Sequence, residues 1–298
     1  MMLLLTRGLE RFRRRFHPLH CVRGFPPARW ILQRIDRPWQ VKIDGISHPV
    51  SVWLGRNLGT VLSAGQAEER EERDLLVRLA RANGCRVFWD VGANYGLFTF
   101  GLRASLPELS IEAFEPDPDY ITLLRRTLRV GGLDRVRIVP VALSDREGTV
   151  PFRRDLTSGS TGSLRTPLPR PHHGTLDSNG DQRTINVVAS TIDAECSRIG
   201  TPDLIKIDVE GAELEVLEGG KVTLEAHRPI ILLECTHRQE EVRRLLEELG
   251  YEIRDPKSPT DRSPGPGMPF MALALDPGRH NLGEALGQRE KPRAPTAW

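Results

Sequence analysis

The 298-residue chain has little cysteine and no ordered use of it. Cys21, Cys85, Cys196 and Cys235 are scattered, with no C-x-x-C pair and no metal-ligand spacing, which argues against a zinc module or a dithiol redox motif. Cys85 and Cys235 border apolar runs, where a free thiol behaves as a small hydrophobe. The reading is a reduced protein without disulfides. No apolar run approaches the ~18 residues a transmembrane helix needs. "MMLLL" at the start is too short for a signal-peptide core, and its positive charges follow it instead of preceding it. A cytoplasmic location is therefore expected. Net charge is also missing: at +2, the chain has no global basic field to attract nucleic acid.

What basic charge there is gathers near the N-terminus. Residues 1–20 carry Leu5, Leu9, Phe12 and Phe16 on one helical face and five arginines over much of the rest. Such a helix can meet an anionic membrane surface peripherally. Alternatively, and preferred here, it docks on the protein's own body or on a second subunit. Residues 40–64 read as short strands with turns at Asp44-Gly45 and Asn57-Leu58-Gly59, and residues 67–82 as a helix. These place an N-terminal extension at 1–66, a main domain at 67–277 and a polar, mobile tail at 278–298.

From Val87 onward, strands and helices alternate. Strands are expected at 87–91, 110–114, 136–143, 204–209, 230–235, 251–254 and 270–275, with helices over 98–105, 120–130, 212–217 and 239–249. Strands separated by helix-length segments imply parallel crossovers and a three-layer α/β domain. Only a loop rich in proline and glycine joins the last two strands, so these should pair antiparallel. Residues 153–186, rich in Ser, Thr, Gly, Pro and His, exceed the ~12–15 residues at which structureless loops become uncommon. This segment is either a substrate lid, the favoured reading, or a disordered insertion. Its pair His172-His173 has no spaced carboxylate or cysteine beside it, and no metal is expected there.

In open α/β sheets, ligands bind beyond the carboxyl ends of the strands. "DVGANYG" follows the first strand of the series, with Asp90 at its exit and Gly92, Asn94 and Gly96 in the turn. The spacing lacks the middle glycine of G-x-G-x-x-G, which makes room for a pyrophosphate, and the Lys and Ser/Thr of a P-loop. About twenty residues on, Glu115 ends the second strand, where a carboxylate can accept bonds from both ribose hydroxyls. Ser144 and Asp145 in "VALSD" follow the third strand, level with an adenine ring. An adenosine without pyrophosphate, with a polar head at the turn, suggests S-adenosylmethionine.

The motifs "DVGANYG", "FEPDPD", "VALSD" and above all "LIKIDVEGAELEVLEGG" resemble the FkbM family of S-adenosylmethionine-dependent methyltransferases, over roughly Phe88 to Ile253. The resemblance implies a class I methyltransferase fold, a Rossmann-like three-layer sandwich whose seven-stranded, mostly parallel sheet has its last strand antiparallel. It also implies O-methylation of a hydroxyl on a sugar, glycan or polyketide-type product. Strand alternation puts Leu204, Lys206 and Asp208 on one face, so Asp208 and Glu210 emerge beside the expected donor. An alcohol attacks well only as its proton is removed, which calls for a positioned base. Asp208 and Glu210 are the candidates, with His237 a weaker one after the fifth strand. The competing reading is that both carboxylates only cap the next helix. A divalent cation among Asp208, Glu210 and Glu234 is weighed and not expected. Other functions kept open are a methyltransferase-like binding module without turnover and a nicotinamide-dependent oxidoreductase.

Overall fold

The computed structural model of the chain describes residues 36–57, 67–155, 162–164, 184–259 and 267–285. The basic N-terminal helix, the Leu58-Gly59 turn, the histidine pair and the end of the tail lie outside the described residues.

Seven strands form the main sheet: β3 (Val87–Val91), β4 (Ser110–Phe114), β5 (Val136–Val139), β9 (Leu204–Ile207), β10 (Ile230–Glu234), β11 (Glu252–Arg254) and β12 (Met271–Leu275). Their order across the sheet is β5-β4-β3-β9-β10-β12-β11. β3, β4, β5, β9 and β10 pair in parallel, and β12 runs antiparallel to both β10 and β11. This is the class I methyltransferase topology. The strand order reverses at β3, and such a switch point opens a crevice at the strands' carboxyl ends.

Helices α1 (Ala67–Ala82), α2 (Leu97–Ser105) and α3 (Pro118–Gly131) cover one face of the sheet, with Leu76, Phe100 and Leu124 in a core shared with Phe88, Leu204 and Leu232. The other face packs under α4 (Ile192–Ile199), α5 (Glu213–Glu218), α6 (Lys221–His227) and α7 (Gln239–Glu248), with Ile192, Leu217, Leu224 and Leu246 against Trp89, Ile205 and Ile231. A sheet covered on both faces needs apolar side chains on both, hence runs such as Ile230–Leu233 in place of alternation. Fully burying one such side chain contributes on the order of 1.5–3 kcal/mol. Against that background the buried Lys206, 3% exposed in β9, is costly and calls for a reason.

Three readings from sequence need correction. The strand expected at 136–143 is broken at Pro140, which has no N–H to give a ladder; β5 stops at Val139, and Ala142–Leu143 (β6) joins a second sheet. That sheet, β6-β8-β7, adds β7 (Gly148–Arg153) and β8 (Thr184–Ser190). Both edges of the loop 153–186 are therefore strand. The tail is also not wholly loose: Asn281 N donates to Asn83 Oδ1 at 2.6 Å, and Leu282, in α8 (Leu282–Ala285), is buried in the core. At the other end, β1 (Pro38–Val41) and β2 (Val50–Trp53) pair antiparallel, and Val50 and Val52 enter the core beside α3. Among the described residues, no helix is long and apolar enough to cross a membrane.

Candidate active site

At the end of β3 the chain turns so that Gly92 N and Ala93 N both donate to the Phe114 carbonyl at 3.0 Å. Gly92 has φ +82°, and a Cβ added there would stand 1.9 Å from the carbonyl oxygen of Asp208. The turns after β3 and β9 thus touch backbone to backbone, which only glycine permits. Gly96 has φ +92° and a different duty. A Cβ there would meet the Phe100 ring at 2.4 Å and Leu124 at 2.8 Å, so this glycine lets α2 and α3 pack.

Between these turns and the second sheet lies a cleft. Val91, Phe114, Val141 and Leu143 give it apolar walls, and Tyr120, Phe152, Gly162 and Leu164 also line it. Its polar lining is acidic: Glu115, Asp117, Asp155, Asp208 and Glu210, with no lysine, arginine or histidine among the described lining residues. Asn94 N donates to Glu115 Oε2 and Asp117 N to Glu115 Oε1, each at 2.8 Å. A carboxylate offers about four lone-pair positions, so capacity remains for a ligand. Burial pushes the Glu115 carboxyl up to about 8, and the two amides oppose it.

The rim beside Tyr120 is tied by charge. Asp117 caps α3 by accepting from Asp119 N at 2.8 Å and also accepts from Arg154 Nε at 2.9 Å. Arg56 joins Asp36 at 2.7 Å to Asp119 at 2.9 Å, and Arg154 reaches Asp119 as well. The exit from β7, the start of α3 and the segment before β1 meet here.

Elsewhere in the lining, Asp208 Oδ2 accepts from Lys206 Nζ at 2.9 Å, and that ammonium lies 4.3 Å from the centre of the Phe98 ring. Asp90 is Lys206's register partner on β3; its Oδ2 accepts from Thr99 N and Oγ1, while its buried Oδ1 has no hydrogen-bond partner. Burial raises the Asp90 carboxyl, against Lys206 and Thr99. Burial alone would lower the Lys206 ammonium, but Asp208, Asp90 and Glu234 outweigh it and raise it. Burial, then the Asp208 charge, pushes Glu234 up to about 8. As to the helix-cap reading, neither Asp208 nor Glu210 occupies the N-cap position of α5. The N-cap of α5 is Ala212, without a side-chain bond, and the Gly211 amide goes to Glu213 Oε1 at 2.7 Å.

These raised carboxyls set a direction for stability. Burial pushes Glu115 and Glu234 up to about 8 and Glu213 up to about 7, against an ordinary value of 4.5. Between these limits the folded chain holds protons that the unfolded chain has released, so this contribution is lost as pH rises. Denaturant unfolding of the ligand-free protein should show stability falling from about pH 5 to about pH 8. A flat or rising profile would contradict these environments.

Of the residues singled out from sequence, Gly92, Asn94, Glu115, Asp208 and Glu210 line this cleft together. Asp90 is buried behind it, beside Lys206. Gly96 serves helix packing, as described. Ser144 donates to the exposed Asp145 at 3.1 Å and neither lines the cleft; Val141, Ala142 and Leu143 do so in their place. His237 is exposed, bonded to Thr236 Oγ1 at 2.8 Å, with its ring over Gly211 outside the lining. Sequence reasoning had assigned no role to Lys206, Asp117 or Asp155. Lys206 had a signal, a lone charge inside "LIKIDV"; Asp117 had one as the N-cap before Pro118 at the helix start. Asp155 had none. Among the described residues, no group of three or more His, Cys, Asp or Glu side chains is placed to hold a metal ion.

Comparison with known proteins gives a consistent result. The sequence profile of the Methyltransferase FkbM domain matches residues 90–253, more than half of the chain. The chain is 34% identical over 146 residues to the 2-O-methyltransferase NoeI of Sinorhizobium fredii, covering 46% of this chain and 58% of that protein. It is 32% identical over 196 residues to the hexuronic acid methyltransferase AglP of Haloferax volcanii, covering 64% of each. In both cases less than two thirds of the relative's length is spanned. A crystal structure of methyltransferase FkbM from Methylobacillus flagellatus aligns with a TM-score of 0.42 at 18% identity, over 64% of this chain and 43% of that one.

Proposed function

The chain belongs to the FkbM methyltransferase family, and on that premise we propose that it moves a methyl group from S-adenosylmethionine to a hydroxyl of a sugar, glycan or related natural product. The observation that carries this reading is the acid-lined cleft at the carboxyl ends of β3, β4 and β5, with Asp208 and Glu210 in its lining. S-adenosylmethionine supplies an electrophilic methyl on a sulfonium and bears a cationic amino group. Carboxylates suit both charges. A dinucleotide would instead bring an anionic pyrophosphate to the same carboxylates, which disfavours the nicotinamide alternative.

Gly92 and Asn94 would face the methionine end, and Glu115 would accept from the ribose hydroxyls. Val141 and Leu143 would flank the adenine, with Asp117 or Asp155 within reach of its amino group; Ser144 and Asp145 have no part in this arrangement. Asp208 would take the proton of the acceptor hydroxyl as the oxygen attacks, with Glu210 orienting the acceptor. The names of the two relatives, a 2-O-methyltransferase and a hexuronic acid methyltransferase, support a saccharide hydroxyl as acceptor.

Calorimetry with S-adenosylhomocysteine and with NAD, followed by transfer of labelled methyl to a panel of saccharides, tests the proposal. Saturable binding of the first ligand alone and label in a base-stable ether are expected. Binding of NAD alone would overturn the donor assignment, and donor binding without transfer to any extract fraction would favour a binding module.

A further inference from the structure

Lys206 is a buried charge inside the central sheet. A lysine in the middle of a parallel strand, flanked by Ile205 and Ile207, takes its charge out of water at a penalty of several kcal/mol. An apolar residue would fill the place more cheaply. What Lys206 touches is specific: its ammonium bonds Asp208 Oδ2 at 2.9 Å and rests on the Phe98 ring at 4.3 Å. Asp208 is one of the cleft-lining carboxylates, and its side chain keeps 31% of its surface exposed while that of Lys206 keeps 4%. The buried partner therefore holds the exposed one from below, leaving the other carboxylate oxygen outside this pair.

We propose that Lys206 is a positioning residue for catalysis: its ion pair fixes the Asp208 carboxylate at the cleft wall as the acceptor of the hydroxyl's proton. The inference rests on the reading of Asp208 given above. Asp208 stands in a field of like charge, and the ammonium offsets it. Asp90 faces from β3, Glu234 from the end of β10, Glu213 from α5 and Glu210 from the turn, with Glu72 of α1 beyond Glu234. From α2 come only Phe98 and Thr99, an aromatic face for the ammonium and hydrogen bonds for Asp90. Without the cation, the like charges around Asp208 go unopposed and its carboxylate loses the bond that fixes its direction.

Wild type, Lys206→Met, Asp208→Asn and the double variant should be compared for turnover, acceptor KM, donor affinity and pH profile. Lys206→Met should lower kcat about 100-fold at neutral pH, a typical share for proton transfer by a positioned group. Donor affinity should stay within about threefold, because the interaction lost acts in the chemical step. The acid limb of log kcat should move to higher pH, and raising the pH should recover part of the rate. In the Asp208→Asn background the same change should cost less than about threefold, since residues acting as one unit are not additive. Lys206→Gln keeps a donor without the charge and carries the test if the Met variant does not fold. An unmoved acid limb, or full additivity in the double variant, would overturn the inference. So would loss of the folded state in both Lys206 variants, which would make this a residue of stability alone. Wild-type turnover in Asp208→Asn would instead remove the assignment of Asp208, a separable result.

Discussion

Gly92→Ala is expected to abolish binding of S-adenosylhomocysteine. The added Cβ would stand 1.9 Å from the Asp208 carbonyl oxygen, and that obstacle is backbone, so no side-chain rotation relieves it. The φ of +82° adds strain for any residue with a Cβ. Together, overpacking and left-handed strain cost on the order of 3 kcal/mol or more. The chain can avoid this only by moving the turn after β3 away from the turn after β9, which takes Asn94 and Asp208 out of place at once. Calorimetry should show donor affinity weakened roughly 100-fold or beyond detection, since each 1.4 kcal/mol is about tenfold. Gly96→Ala is the control, because its Cβ would strike the side chains of Phe100 and Leu124 instead. It should lower the thermal midpoint and leave residual donor affinity in the folded fraction. Equal donor affinity in Gly92→Ala and wild type would remove the cleft from donor binding.

Asp208→Asn should lose turnover by about 100- to 10,000-fold, the range for a general base, while donor affinity changes little. The substitution keeps shape and removes charge. Its amide oxygen can still accept from Lys206 Nζ, and the Phe98 ring still faces the ammonium. The fold should therefore survive, and the loss should be chemical. Glu210→Gln is expected to act differently. The Glu210 backbone, at φ +53°, is held by Ser163 Oγ at its carbonyl, a contact the side-chain change leaves in place. Its effect should fall mainly on acceptor KM. Wild-type rates in both amide variants would leave neither carboxylate with a part in the reaction.

The alternation of strands and helices and the antiparallel last pair were legible in the sequence because each rests on local causes. Apolar strand runs, a proline at the start of α3 and Gly132 ending it in the left-handed region act within a few residues. The main errors have equally physical origins. Pro140 lies inside the span 136–143 expected as one strand, and its missing N–H forbids a continuous ladder there. The second sheet went unread because β7 and β8 lie on either side of a long polar segment, and only their pairing makes them strands.

The site divides along the same line. Sequence by itself determined the family, the strand-end positions of Gly92, Glu115, Asp208 and Glu210, and the absence of a pyrophosphate-type glycine turn. These follow from motif spacing and from the rule that α/β ligands sit at strand ends. Tertiary structure alone decided that Gly92 faces the Asp208 carbonyl while Gly96 faces Phe100, though the two glycines look alike in "GANYG". It moved the third-strand rim from Ser144 and Asp145 to Val141–Leu143, and it joined Lys206, Asp90, Asp208 and Glu234 into one charged group. Those four side chains come from three strands and the turn after one of them, spread over more than a hundred residues, and parallel register sets them side by side. The electrostatic balance that holds Asp208 at the cleft is a property of that register, because each charge feels its neighbours through space and not along the chain.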